Sequence, residues 1–126
     1  MIHERHFSPE EADELLPVIE PLLAELREAK ESLTDEEAHR VLSEASGGNG
    51  GGTEGRNVGE AFLRVRGLLA ALGGSGVVLR DIDRGLIDFP AIIEEREVYL
   101  CWQPGEERVR FWHDLEAGFA GRRPLA

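Results

Sequence analysis

Apolar residues recur at alternating spacings of four and three near the start of the chain, at Leu15, Ile19, Leu22, Leu26, Ala29 and Leu33. That period places them on one stripe of an amphipathic helix, of the kind that packs along a second helix. Ser8-Pro9-Glu10-Glu11 marks its start: Ser8 can cap, Pro9 suits the first helical position, and Glu11 can reach back to the cap's amide. Pro17 and Pro21 fall inside the pattern, and each removes a backbone donor, so a bend near Pro21 is expected. Thr34-Asp35-Glu36-Glu37 is a second capping box, which either starts a new helix or lies unused within a continuous one. Ala38, Val41, Leu42 and Ala45 extend an apolar stripe in both cases. A further stripe of Val58, Ala61, Phe62, Val65, Leu68, Leu69 and Leu72 follows Asn57 as cap and stops at Gly73-Gly74. Between the stripes, Gly47-Gly48-Asn49-Gly50-Gly51-Gly52 is entropically costly to order. A flexible loop over residues 46–56 is therefore expected to join the helices into an antiparallel helical hairpin.

From Gly76 the pattern becomes extended. Val77-Val78-Leu79 and Leu86-Ile87-Asp88-Phe89 read as short strands, the second ended by Pro90. Glu97-Val98-Tyr99-Leu100-Cys101-Trp102, the turn Gln103-Pro104-Gly105-Glu106 and Glu107-Arg108-Val109-Arg110-Phe111-Trp112 read as a hairpin. A tight turn at that point pairs Leu100 with Val109 and Val98 with Phe111 on the core side. It leaves Tyr99 beside Arg110, as a cation–π pair, and Cys101 beside Arg108 on the other side. The pattern thus predicts an α+β chain: a long antiparallel helical hairpin in residues 1–75, then a small antiparallel β-sheet of three to four strands and a tail in residues 76–126. At 126 residues this is one domain, residues 1–126.

Charge sharpens the division. Residues 1–55 hold 14 acids and 4 bases, and residues 56–126 hold 11 acids and 10 bases, so nearly all of the net charge of −11 belongs to the helical half. Such acidity repels phosphate backbones and anionic lipid, so neither nucleic acid nor a membrane is an expected partner. With one cysteine, Cys101, no internal disulfide forms, and the start of the chain lacks a signal-peptide run. No stretch approaches the ~20 apolar residues of a membrane span. A cytoplasmic location is expected.

Three patterns that could carry chemistry read more simply. His3-x-x-His6 has metal-like spacing, but it precedes the helix cap without a second ligand pair and reads as a solvated terminus. The glycine clusters lack the strand–glycine turn–helix order of a phosphate loop. Cys101 with His113 as base could be a nucleophile pair, yet a mid-strand cysteine with no positive helix end reads as a packed small side chain. The polar groups that need an account lie in the second half: Asp88 inside an apolar run, Glu106 and Glu107 at the hairpin turn, His113-Asp114 after the last strand, and Arg122-Arg123 near the end. Should the tail fold back, Asp88, Glu106, His113 and Arg122 meet at one end of the sheet. That group suits a small-molecule carboxylate or phosphate, or a divalent metal held by Asp88 and His113. The structural alternative is a buried salt bridge from Asp88 to Arg84, Arg122 or Arg123, with His113 or Asp114 capping a helical turn.

Gly85-Leu86-Ile87-Asp88-Phe89-Pro90, Val98-Tyr99-Leu100-Cys101-Trp102, Gly105-Glu106, Phe111-Trp112-His113, Gly118-Phe119 and Gly121-Arg122 together resemble a small bacterial family catalogued as domain of unknown function 2203. The resemblance extends to Phe7-Ser8, Glu10-Glu11-Ala12 and Leu15-Leu16-Pro17, and so covers nearly the whole chain. It implies a complete bacterial protein and carries over no activity, cofactor or catalytic residue. A two-helix arm beside a small sheet buries little by itself, so a second copy is expected to cover the stripe from Leu15 to Leu33 and the aromatic sheet face. The expected function is that of a non-enzymatic, homodimeric interaction or scaffold protein. The alternative is a small-molecule or divalent-metal binding protein, a hydrolase included, with its site at the sheet end.

Overall fold

A computed structural model describes residues 1–33, 39–40, 42–43 and 59–125. Helix α1 spans Pro9–Glu31 and starts as its sequence dictates: the Ser8 hydroxyl accepts from the Glu11 amide at 3.1 Å, and the Ser8 amide donates to the Glu11 carboxylate at 2.8 Å. It continues through Pro17 and Pro21, both on the solvent face, where water can serve the carbonyls that lose their partners. The helix ends at Glu31 with Ser32 as C-cap, so it does not run on through Thr34; the second capping box and the loop expected over 46–56 lie outside the described residues. Its fully buried residues are Ala12, Leu16, Ile19, Leu23, Leu26 and Ala29. The expected Leu15, Leu22 and Leu33 sit at the margins of that stripe, packed against the core but half-exposed.

Helix α2 spans Glu60–Gly74 and buries Phe62, Val65 and Leu72. Gly59 holds its N-cap position, two residues beyond Asn57, which lies outside the described residues. The helices run in opposite directions: Arg64 near the start of α2 pairs with Glu25 late in α1, and Arg5, before α1, donates to the Ser75 carbonyl that ends α2. Gly76 then turns the chain at φ +95°, with a Cβ position only 3.0–3.4 Å from Arg5 and the Phe7 ring, a site that only glycine fits without strain.

The second half forms a five-stranded antiparallel meander rather than three or four strands: β1 (Val78–Asp81), β2 (Leu86–Ile93), β3 (Arg96–Trp102), β4 (Phe111–Asp114) and β5 (Arg123–Pro124), in spatial order 1-2-3-4-5. Pro90 does not end β2. It pairs with Tyr99 on β3, while β1 reaches only as far as Asp88, so the side facing β1 is open at Pro90. On an antiparallel strand a residue's nitrogen and carbonyl point the same way. The Pro90 carbonyl accepts the Phe7 amide at 2.7 Å on that open side, so the missing N–H faces no ladder partner.

The β2–β3 turn is Glu94-Glu95, both at positive φ (53° and 66°), a two-residue geometry that ordinarily selects Asn-Gly. Non-glycine residues held there cost ~1–2 kcal/mol each. Because glycine also loosens the unfolded chain, the double substitution Glu94→Asn/Glu95→Gly should stabilise the fold by a net ~1 kcal/mol. Urea unfolding followed by tryptophan fluorescence checks this, and an unchanged midpoint would contradict it.

The hairpin expected to close tightly at Gln103-Pro104-Gly105-Glu106 is corrected. The turn itself forms, with the Glu106 amide donating to the Gln103 carbonyl, but pairing resumes only at Phe111, opposite Cys101. The cause lies outside the sheet. The Val109 amide donates to the Asp13 carboxylate of α1 at 2.7 Å, and the Trp102 indole donates to the Glu106 carbonyl at 3.0 Å, which together draw residues 103–110 out as a loop. The resulting shift of three positions is odd, so faces exchange: Phe111 joins Cys101 and Trp112 joins Leu100.

Ile87, Phe89, Ala91, Val98, Leu100 and Trp102 form one face of the sheet and share a single core with α1 and α2. The stripe expected to need a second copy is thus covered within the chain.

Candidate functional site

The other sheet face is polar and also buried. Strand alternation and register put Arg80 of β1, Asp88 of β2, Glu97, Tyr99 and Cys101 of β3 and His113 of β4 on it. Asp88, Cys101 and His113 are 1%, 0% and 2% exposed. The Asp88 carboxylate is held from two sides, by Arg80 Nε on Oδ2 at 2.8 Å and His113 Nε2 on Oδ1 at 3.1 Å. The other imidazole nitrogen, Nδ1, donates to the Asp114 carbonyl at 2.8 Å, since a carbonyl can only accept. Cys101 lies directly across from Asp88 in the β2–β3 register, and one donor atom each from Asp88, Cys101 and His113 lies within 4.8 Å of the other two. Burial, reinforced by the Asp88 and Glu106 carboxylates and opposed by Arg122, pushes the Cys101 thiol up to about 12. It is therefore not an activated nucleophile, and the packed reading of Cys101 stands at that level.

Both chain ends close over this face. Residues 1–7 carry no regular structure, yet the Glu97 carboxylate accepts from the Ile2 amide, the His3 amide and His6 Nε2 at 2.8–3.0 Å. His3 Nε2 shares a 2.7 Å hydrogen bond with the Tyr99 hydroxyl. The pair expected to be a solvated terminus is instead a fastening. Burial alone would raise the Glu97 carboxyl, but the hydrogen bonds from His6, Ile2 and His3 outweigh it and hold it at about 2. A depressed carboxyl contributes stability that is complete above its unfolded value of ~4.3 and is lost as pH falls through the folded one. Glu97→Gln should therefore melt below the wild type at pH 6 and lose less of its melting temperature on acidification from pH 5 towards pH 2. Parallel melting curves for the two proteins would refute this.

At the other end, Arg122 pairs with the Glu106 carboxylate and lies between Phe111 (3.8 Å to the ring centre) and Phe119 (4.6 Å), with its Nε unpaired and buried. Arg84 also lies over the Phe119 ring, 4.5 Å from its centre.

All four expected residues therefore lie on or beside this face, as two contacting pairs, Asp88 with His113 and Glu106 with Arg122. The field of three of them, Asp88, Glu106 and Arg122, reaches Cys101. Asp88 reaches His113 across β3, and Arg122 reaches Glu106 of the β3–β4 loop. The arginine on Asp88 is Arg80, not Arg84, Arg122 or Arg123, and the cation over Tyr99 is Arg80 at 4.8 Å, not Arg110. Neither His113 nor Asp114 caps the tail's short helical turn, whose N-cap is Gly118. Sequence reasoning passed over Arg80, Glu97 and Tyr99 as site members. The available signal was the alternation of β3, where Glu97, Tyr99 and Cys101 interleave with Val98, Leu100 and Trp102.

A groove of about 560 Å³ between α2 and β1, walled by Leu69, Leu72, Val77, Leu79 and Ile82, is lined by Arg80 as well. None of Asp88, Cys101 and His113 opens into it.

The family model for "Uncharacterized conserved protein (DUF2203)" matches residues 5–125. The chain belongs to this family. No curated protein and no solved structure matches it. In this DUF2203 chain the matched span takes in α1, α2, β1 to β5 and all of Asp88, Cys101, Glu106, His113 and Arg122, while His3 falls before it. No described helix is long and apolar enough to cross a membrane.

Proposed function

We propose that this chain is a non-enzymatic binding protein of the cytoplasm whose polar sheet face holds a small ligand. The observation that carries the reading is a buried ionisable pair, Asp88–His113 beside Cys101, with the exposed Arg80 on the other Asp88 oxygen, placed where an ordinary domain of this size would bury apolar side chains. Buried ion pairs are weak contributors to stability, and apolar residues of similar volume often serve as well. Nothing in the cluster is poised for turnover. The thiol is protonated, the carboxylate is occupied on both oxygens, and none of the three donor residues opens into the groove beside β1. A reducing cytoplasm keeps Cys101 a thiol. A second copy of the chain as partner loses its main motive, because the α1 stripe is covered internally.

Thermal melting of the purified chain against two panels, divalent cations and small anions such as phosphate and citrate, tests this. A ligand present at a hundred times its Kd adds ~2.7 kcal/mol, a rise of several degrees. A flat melting temperature across both panels would sink the ligand reading. Hydrolysis of simple esters or phosphoesters would sink the non-enzymatic one.

A further inference from the structure

The hydrogen-bond count around His113 does not close with a carboxylate and a neutral imidazole. Nδ1 must carry a proton to donate to the Asp114 carbonyl. In neutral imidazole that leaves Nε2 a bare acceptor, 3.1 Å from Asp88 Oδ1, which is an acceptor too. The contact is favourable only with a positive species between them, a further proton or a metal ion. An imidazole whose Nδ1–H is fixed by a backbone carbonyl and whose Nε2 faces a second donor group is the usual posture of a metal-bound histidine. The third donor, Cys101, stands across from Asp88 in the register.

We propose that Asp88, Cys101 and His113 form a binding site for a thiophilic divalent cation of the zinc class. This deepens the ligand-binding reading and rests on it. The oxygen, sulfur and nitrogen donor set suits Zn²⁺ or Co²⁺ and is wrong for Mg²⁺ or Ca²⁺, which select oxygen alone. Bond lengths of 2.0–2.3 Å put tetrahedral ligands ~3.5 Å apart, so donors now separated by at most 4.8 Å close by about 1 Å at the widest pair.

The geometry of the three donors carries the site, and the charge also balances. Before binding, carboxylate, doubly protonated imidazole and thiol sum to zero. The ion displaces the proton held between His113 Nε2 and Asp88 and the proton of the Cys101 thiol. Carboxylate, thiolate, neutral imidazole and a dication again sum to zero. Two protons leave to solvent for each ion bound, and no net charge is added to the buried face, where an uncompensated one would be costly. Arg80 stays on the other Asp88 oxygen as an outer partner. It is 40% exposed, so the cluster has one outer partner that can turn to water when the ion binds.

The test uses the full, reduced chain, stripped with chelator and titrated with Co²⁺. The expected result is one ion per chain, with a thiolate-to-cobalt charge-transfer band in the near ultraviolet and the intense visible bands of tetrahedral cobalt. Zn²⁺ should displace it with release of two protons, read from the buffer dependence of the heat in calorimetry. Cys101→Ser should abolish the charge-transfer band. His113→Gln should lose at least the ~10–100-fold in affinity that even outer-partner changes cost. Glu25→Gln, on the exposed face of α1, should bind as the wild type does. No charge-transfer band from folded wild type at saturating Co²⁺ would overturn the proposal. So would binding that Cys101→Ser and His113→Gln leave unchanged, which would place the ion on surface carboxylates. If cations fail while anions still raise the melting temperature, this site falls and the ligand reading survives. If neither acts, both fall.

Discussion

Replacing Asp88 with alanine should destabilise the fold by about 3–5 kcal/mol, the usual cost of removing one partner from a buried ion pair. The loss leaves the Arg80 guanidinium without its carboxylate and His113 Nε2 facing an empty apolar gap. Arg80 recovers part by turning to water, since it is 40% exposed, whereas His113 at 2% cannot. Asp88→Asn separates charge from hydrogen bonding. Its amide oxygen can accept from Arg80 while its amide nitrogen donates to neutral His113 Nε2, supplying the proton that the native contact needs. Asparagine should therefore cost less than half as much as alanine in urea unfolding, while weakening Co²⁺ binding because an amide is a poor ligand. Equal losses for the two variants would show that the proton between Asp88 and His113 is not what the cluster requires.

Trp102→Ala should cost a comparable ~3–5 kcal/mol, the range for truncating a buried aromatic. Trp102 is fully buried opposite Ile87, and its indole N–H donates to the Glu106 carbonyl. Glu106 in turn accepts the Gln103 amide on one carboxylate oxygen and Arg122 on the other, so this single indole bond fixes the residue that joins the loop to the tail. Trp102→Phe keeps most of the apolar contact and removes only that bond, for about 1 kcal/mol. Its distinguishing effect is local: amide exchange in residues 103–110 should quicken while the strands stay protected. Uniform acceleration across the sheet would mean that the loop is held some other way.

The parts of the fold that the chain advertised are those governed by neighbours in sequence. The capping box at Ser8 and Glu11 and the 3-4 apolar spacing of α1 needed only a helix's own geometry to be read. The alternation of Glu97, Tyr99 and Cys101 with Val98, Leu100 and Trp102 likewise separated the two faces of β3. One strand and one turn were hidden, for different reasons. The final strand, Arg123–Pro124, is only two residues long and too short for any period. The turn at Glu94-Glu95 carries none of the glycine or asparagine that its backbone favours, so the residues around it gave no hairpin signal.

The site was legible in its members but not in its pairings. Asp88 and His113 stood out because polar groups in apolar runs need partners, and they do meet. Arg80 did not stand out, since an arginine eight residues before Asp88 says nothing until β1 folds back beside β2. Asp13 is the plainest case. It is one of many acids on α1, yet it captures the Val109 amide, lengthens the β3–β4 loop, and so decides that Phe111 and His113 face the polar side.

The sequence alone determined where α1 starts and which faces β3 presents, because caps and periodicity act over a few residues. It also placed a carboxylate, an imidazole, a thiol and a guanidinium in the half that forms the sheet. Tertiary structure decided the register of β4, the cation opposite Asp88 and the closing of the polar face by the two ends of the chain. Each of these turns on a contact between residues far apart in sequence, such as Asp13 with Val109 or Glu97 with the first residues, whose strength depends on burial that exists only once the chain has folded.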